Sequence, residues 1–397
     1  SIHRECKDIL PQTQYTMTRG STDRDARTVR TTLSRISIGL VLIAHFSGAL
    51  SCPGGTVPWW LPIGGGPDAR ACISVADASD ECLEYLTRNL AAWDGYNAES
   101  LGFPEPPVEG GTISGRGRLG PPELRVEEGA GVLRPIRRRG TDAGPGVPAL
   151  PDGLSDGIVG QTVALSLESL KYPWTLHLTK ELFLEYVLPF AVVNEARSNW
   201  RQYLVSKLEP LISPLTDQSL GPDATVRESA EKVTEVIHTV NKGLWDAVGG
   251  VQFKSGKTPL IYDPMSVILF GYGSCTGLSI LLVCALRSVG IPARIAGTPA
   301  WNGDPDRGNH TWVEVYVPGR GWRILEAGPA GGEQDLDNPC GLWFCNPMHF
   351  DGLTKVFASR SDFSLADGHF PMAWDMQNDG VPGDDRSSIM TEMCSKC

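Results

Sequence analysis

Gly271-Tyr-Gly-Ser-Cys275-Thr-Gly-Leu-Ser-Ile-Leu-Leu-Val-Cys284-Ala-Leu-Arg-Ser-Val-Gly290-Ile-Pro-Ala-Arg294 is the stretch on which the reading of this chain turns. A glycine-rich turn delivers Cys275 to the first turn of an apolar helix. Gly290 stops that helix, and Ile291-Pro292 leads into a strand. Near a helix start the macrodipole favours negative charge, so the Cys275 thiol stands where a thiolate forms more readily. Cys284, mid-helix among Leu and Val, reads as core.

Downstream, Ala293–Gly297 reads as a strand and Thr298–Asn309 as a loop rich in Pro and Gly. Thr311–Val317 alternates as a strand with two different faces, Pro318-Gly-Arg-Gly321 is a turn, and Trp322–Glu326 is the return strand. Residues 311, 313, 315 and 317 (Thr, Val, Val, Val) form the core face, so His310 shares the other face with Trp312, Glu314 and Tyr316. A thiol nucleophile needs a base, and the base needs an orienter. Of the seven histidines, His310 is the one that opens a strand directly beyond the cysteine helix.

Glu326 is the nearest candidate orienter, and the hairpin register decides whether it reaches. With Val317 opposite Trp322 across a four-residue loop, Glu326 falls on the face away from His310. With a three- or five-residue loop Glu326 falls on the His310 face, as a diagonal neighbour where His310 sits opposite Gly328. Asp335, Asp337 and Asn338 stand as substitutes. Trp301, in the loop before His310, lines a substrate cleft in one reading and packs in the other.

Upstream, Val226–Trp245 carries apolar residues at 226, 230, 233, 237, 240 and 244, one face of a helix. Thr179–Phe190 and Asn194–Ile212 also read as helical, the second with Asn194 as N-cap and Pro189 as the break between them. Asp80–Asp94 is expected as one small helix, flanked at its start by Cys72 and Cys82, which could pair in an exported protein. Pro, Gly and Arg dominate 104–164, which reads as a linker, its Arg137-Arg138-Arg139 run included. In 1–51 a basic stretch precedes the apolar run Ile36–Phe46 and then small residues, the order of an export signal, with Met17 as the start that makes its geometry ordinary. The run at 36–49 is too short for a comfortable membrane span. The expected division is therefore leader 1–51, small Cys-containing segment 52–103, linker 104–164, helical lead-in 165–250, core 251–378 and C-terminal tail 379–397.

The 397 residues carry 35 Lys+Arg and 46 Asp+Glu, so the formal net charge is 35 − 46 = −11. That argues against a nucleic-acid partner, which a basic face normally announces. Gly and Pro crowd the first 160 residues, where disorder is expected. Ten cysteines are too few for a disulfide scaffold, and Cys394/Cys397 make the single CxxC, so neither a structural zinc nor any cofactor is expected. Cys340 and Cys345, around a Leu-Trp-Phe cluster, read as a local disulfide or free thiols. No acidic loop reads as a calcium site.

Gly-Ser-Cys275-Thr-Gly-Leu-Ser, Gly308-Asn-His310-Thr-Trp-Val-Glu-Val and Gly321-Trp-Arg-Ile-Leu-Glu326, in that order, resemble the transglutaminase-like core. The resemblance covers roughly 170–378, taking in Phe183-Leu-Glu-Tyr-Val-Leu-Pro189 and Phe370-Pro-Met-Ala-Trp-Asp375. It implies an α+β, papain-like fold, with the nucleophile helix packed on an antiparallel sheet. It implies a Cys-His-Asp triad acting on protein or peptide amides through a thioester, ending in hydrolysis or transamidation. Carried over, Cys275 is the nucleophile, His310 the base, and Glu326 stands where the family has Asp, with Ala327 in place of the usual Pro. Trp245 corresponds to an upstream tryptophan that lines the acyl site in some relatives, and Trp301 and Trp312 are the other substrate-binding candidates. A cysteine peptidase of this fold and a non-catalytic binding module are the competing readings.

Overall fold

The computed structural model describes residues 52–54, 56–60, 70–91, 94, 98–103, 157–216, 220, 224–258, 260–331 and 335–397. The expected leader, its apolar run and nearly all of the expected linker lie outside the described residues.

The described chain opens with an antiparallel pair, β1 (Thr56–Trp60) and β2 (Arg70–Ser74), followed at once by α1 (Val75–Arg88). Ser74 caps α1 by accepting the Asp77 N–H, so this helix starts five residues before the expected Asp80 and ends before Asp94. Cys72 is bonded to Cys52, and Cys82 is a buried free thiol, so the Cys72–Cys82 pair is corrected.

Helix α2 (Ile158–Ser169) begins inside the expected linker and is buried on nearly every side. Side chains of 59–103 and of 158–190 share one apolar cluster, with Trp59, Trp60 and Phe183 in edge and tilted contacts at 5.2 to 5.7 Å. Helix α3 (Lys180–Tyr186) takes Thr179 as its cap. Helix α4 runs Trp200–Thr216, past Pro210 and Pro214, not from Asn194. The stretch before it is irregular because the Glu195 carboxylate accepts the N–H groups of Val192 and Val193 at 2.7 and 2.8 Å. Side-chain acceptance of backbone N–H groups offers the chain an alternative to the helix ladder.

Helix α5 (Val226–Ala247) starts on a capping box between Thr225 and Glu228. Then come β3 (Gln252–Phe253), α6 (Pro264–Phe270), β4 (Tyr272–Gly273) and the cysteine helix α7 (Cys275–Ser288). Gly271, at φ 70°, closes α6 in the left-handed conformation and turns the chain toward Cys275. Strands β5 (Ala293–Thr298), β6 (His310–Val317), β7 (Gly321–Leu325), β8 (Phe357–Ser359), β9 (Gly368–His369) and β10 (Pro382–Asp385) form an antiparallel sheet in the order β7-β6-β5-β8-β10-β9. Helix α8 (Ser387–Cys394) follows. The expected tail 379–397 is therefore part of the fold, supplying the strand between β8 and β9 and a helix.

All residues of α7 are buried. Its Leu278, Ile280, Leu281, Leu282, Val283 and Leu286 share the main cluster with Val313, Val315 and Val317 of β6 and with α4 and α5. At about 1.5–3 kcal/mol for each fully buried aliphatic side chain, this burial anchors α7 firmly in the core. The opposite face of β5–β7 carries a second, aromatic cluster. There Ala296, Trp312 and Ile324 meet Trp301, Leu342, Phe344, Phe350 and Met390 from the loops and the C-terminal segment. Two disulfides, Cys340–Cys397 and Cys345–Cys394, tie that segment to itself. They replace the expected local Cys340–Cys345 pairing. The sequence separations of 57 and 49 explain why spacing did not reveal them.

Candidate active site

Three elements end at one point: α7 begins with Cys275, β6 begins with His310, and Glu326 follows β7. Val317 pairs with Gly321, so the hairpin loop has three residues, Pro318 to Arg320. Arg320 N–H donates to the Val317 carbonyl at 3.0 Å, and Gly319 and Gly321 take φ of 70° and 73°. A Pro-Gly turn followed by a left-handed glycine is the chemistry this loop length needs. The register puts Glu326 on the His310 face, and the His310 Nε2 to Glu326 Oε2 distance is 2.8 Å. Asp337 instead pairs with Arg320 and Arg323.

Cys275 and His310 are each 2% exposed and Glu326 is fully buried. The Cys275 thiol acts on the imidazole and favours its protonated form. Nε2 is engaged by Glu326, while Nδ1 is buried without a hydrogen-bond partner at rest, so it is the ring nitrogen open to the thiol side. Burial alone would push the imidazole toward its neutral form. The Glu326 charge, the Cys275 thiol and the hydrogen bond to Glu326 outweigh it, holding His310 up at about 10. The site thus favours an imidazolium beside the cysteine.

The helix start is pinned to β6 from two sides. Ser279 Oγ donates to the Thr311 carbonyl at 3.1 Å, and the hydroxyls of Thr276 and Thr311 lie 3.2 Å apart. Ser274 takes the N-cap position without capping, because its hydroxyl is engaged by that of Thr258. Gly297 of β5 lies so close to β6 that a Cβ there would meet the His310 carbonyl at 2.7 Å.

The tryptophans divide. Trp301 stacks on His310 at 6.4 Å and lies 4.5 Å from His349, and Trp312 sits 5.9 Å from His310, stacked on Phe344 at 4.8 Å. Both are buried, as packing partners of the histidine. Trp245 donates its indole N–H to the Asn241 carbonyl of its own helix at 2.5 Å, so this group is engaged within α5.

Three contributors escape a reading by pattern. Trp343 and Phe344 place their rings 4.8 and 4.9 Å from His310, and Trp343 is 38% exposed, so it carries solvent-facing aromatic surface next to the histidine. Their signal was the Leu-Trp-Phe cluster between Cys340 and Cys345. Asn241 donates its amide to the Glu326 carbonyl and accepts from Gly328 N–H, both at 2.9 Å. Its signal was an amide inside the apolar stripe of α5, between Ile237 and Leu244. Among the described residues, no group of three or more His, Cys, Asp or Glu side chains is arranged to hold a metal ion.

Residues 219–327, which contain Cys275, His310 and Glu326, match the sequence model of the transglutaminase-like superfamily. The likeness to that superfamily lies in this part of the chain. No curated protein matches the chain. Among solved structures it is similar to a candidate cysteine protease from Cytophaga hutchinsonii, at 20% identity over 35% of this chain and 45% of that one, with a TM-score of 0.21. It is also similar to a candidate protease from Parabacteroides distasonis, at 15% identity over 40% of this chain and 26% of that one, with a TM-score of 0.22. The match spans less than half the length of either protein, and a likeness of that size carries no substrate across.

Proposed function

We propose that this transglutaminase-like core is a thiol enzyme acting on protein or peptide amides, with Cys275 as nucleophile, His310 as base and Glu326 as orienter. The observation that carries the reading is the 2.8 Å contact between the His310 imidazole and the Glu326 carboxylate, on a ring whose proton affinity the Cys275 thiol also raises. The thiolate adds to the amide carbonyl carbon, forming a C–S bond and a tetrahedral oxyanion. The Cys275 backbone N–H, at the start of α7, faces that oxygen. The C–N bond then breaks, His310 passes its proton to the departing amine, and a thioester remains. Water, giving up a proton to His310, releases a carboxylic acid; an amine in its place makes a new amide. Glu326 keeps Nε2–H engaged throughout, so that Nδ1 does the proton transfer.

Mass analysis of amide-bearing peptides, with and without a free amine, separates the outcomes. Deamidation adds the mass change of NH2 to OH, cleavage gives fragments, and cross-linking adds the amine. Cys275→Ala should remove all three. Full activity in that variant would sink the assignment, and no reaction in the parent protein would favour a non-catalytic module, which the burial of all three side chains suits. Export is proposed on separate grounds: three disulfides among the described residues suit an oxidising compartment.

A further inference from the structure

Beyond Leu325 the β6–β7 ladder has no further paired residues, the last pair being Val313 and Leu325. Glu326 therefore leaves the sheet just where its side chain must meet His310, and its backbone needs another partner. Asn241 of α5 supplies it. The amide Nδ2 donates to the Glu326 carbonyl and Oδ1 accepts the Gly328 N–H, each at 2.9 Å, so one planar group spans the segment carrying the carboxylate. Asn241 is itself 4% exposed, and its own carbonyl receives the Trp245 indole N–H at 2.5 Å. Gly328 completes the arrangement: a Cβ there would meet Trp245 Nε1 at 2.6 Å and the Asn241 carbonyl at 3.0 Å.

We propose that Asn241 is a positioning residue for Glu326: its side-chain amide, and not the sheet, sets the backbone from which the carboxylate reaches the Nε2 of His310. The proposal rests on the catalytic reading above for its purpose, but not for its test. Glu is one methylene longer than Asp, and Ala327 allows backbone freedom that a proline would remove. A longer, more mobile carboxylate on a segment outside the ladder needs its Cα fixed from elsewhere. A buried amide satisfied on both atoms by main chain does this without adding charge.

The test uses the full chain with selectively labelled histidine, read by NMR as a titration. His310→Gln identifies the His310 signal, and Glu326→Gln gives the limit for loss of the carboxylate. The titratable groups against His310 are Cys275 from α7 and Glu326 after β7, with His349 behind Trp301 and Trp343. Asn241→Ala should lower the proton affinity of His310 tenfold or more, toward the Glu326→Gln value. If the amide reaction is present, kcat should fall by about 10- to 100-fold with KM little changed, the scale expected when a reacting group is misplaced by about 1 Å. Gly328→Ala leaves the Asn241 amide in place but forces the segment off Trp245, and it should move the His310 titration the same way; it decides the matter if Asn241→Ala does not fold. A purely structural role would lower thermal stability without moving that titration. A His310 midpoint unchanged in these variants, while Glu326→Gln shifts it, overturns the proposal. Failure of the catalytic reading shows separately, as activity that survives Cys275→Ala.

Discussion

His310 gains proton affinity on folding, from an ordinary imidazole value near 6.5 to about 10. The sign of the consequence follows from linkage. A group raised in the folded state contributes stability that is complete below about pH 6.5 and is lost as pH climbs toward 10. Denaturant midpoints measured across that window should fall with pH in the parent protein and fall less in Glu326→Gln, where the partner charge is gone. Parallel profiles in the two proteins would contradict the coupling. At this scale the sequence was most legible where a residue type has few uses: a cysteine after Gly-Tyr-Gly-Ser and a histidine at a strand start. Glu326 was legible as a candidate but not as a partner, because its reach depended on three loop residues. Pro318-Gly-Arg-Gly321 supports more than one loop length, and only the pairing of Val317 with Gly321 chooses the one that brings Glu326 to His310.

Helices that bury one stripe announce themselves, and those buried all round do not. Helix α5 came out of its spacing almost to the residue, whereas α2 was missed, since nine of its twelve residues are buried and no polar face marks a period. The expected helix from Asn194 failed for a different reason: Glu195 serves as a local acceptor for Val192 and Val193. Helix α5 also sets Asn241 against the Glu326 segment, so its stability bears on the site. Thr225 caps it, accepting the Glu228 N–H while Glu228 returns a bond to the Thr225 N–H at 2.7 Å. Thr225→Ala should cost about 1 kcal/mol in urea unfolding. It should leave the His310 titration unchanged, because the cap lies four turns from Asn241 on the same helix. Within β5, Gly297→Ala should be worse, about 1–3 kcal/mol, because the new methyl group meets the main chain at His310 rather than a movable side chain.

Across the whole molecule, the sheet is a partition between two kinds of interior. Aliphatic side chains join α7 to one face, and aromatic rings join the C-terminal segment to the other. The first side was readable from the valines of β6. The second was not, because it is assembled from loops, a single short helix and disulfides whose partners lie far apart in sequence. Replacing Cys345 and Cys394 together by Ser should cost about 2–4 kcal/mol in guanidinium unfolding. It should also shift tryptophan emission as Trp343 and Trp301 meet water. Unchanged emission and stability would mean that packing alone holds the segment over His310.

Cys345–Cys394 lies inside the ring closed by Cys340–Cys397, so the two bonds form nested covalent loops. A single cut of the main chain between 346 and 393 would free neither piece. The nicked protein would weigh one water more than the intact chain and run as a single species until reduced, then part into two fragments. Digestion mapped only without reductant would therefore count the most accessible peptide bonds of this region as uncut.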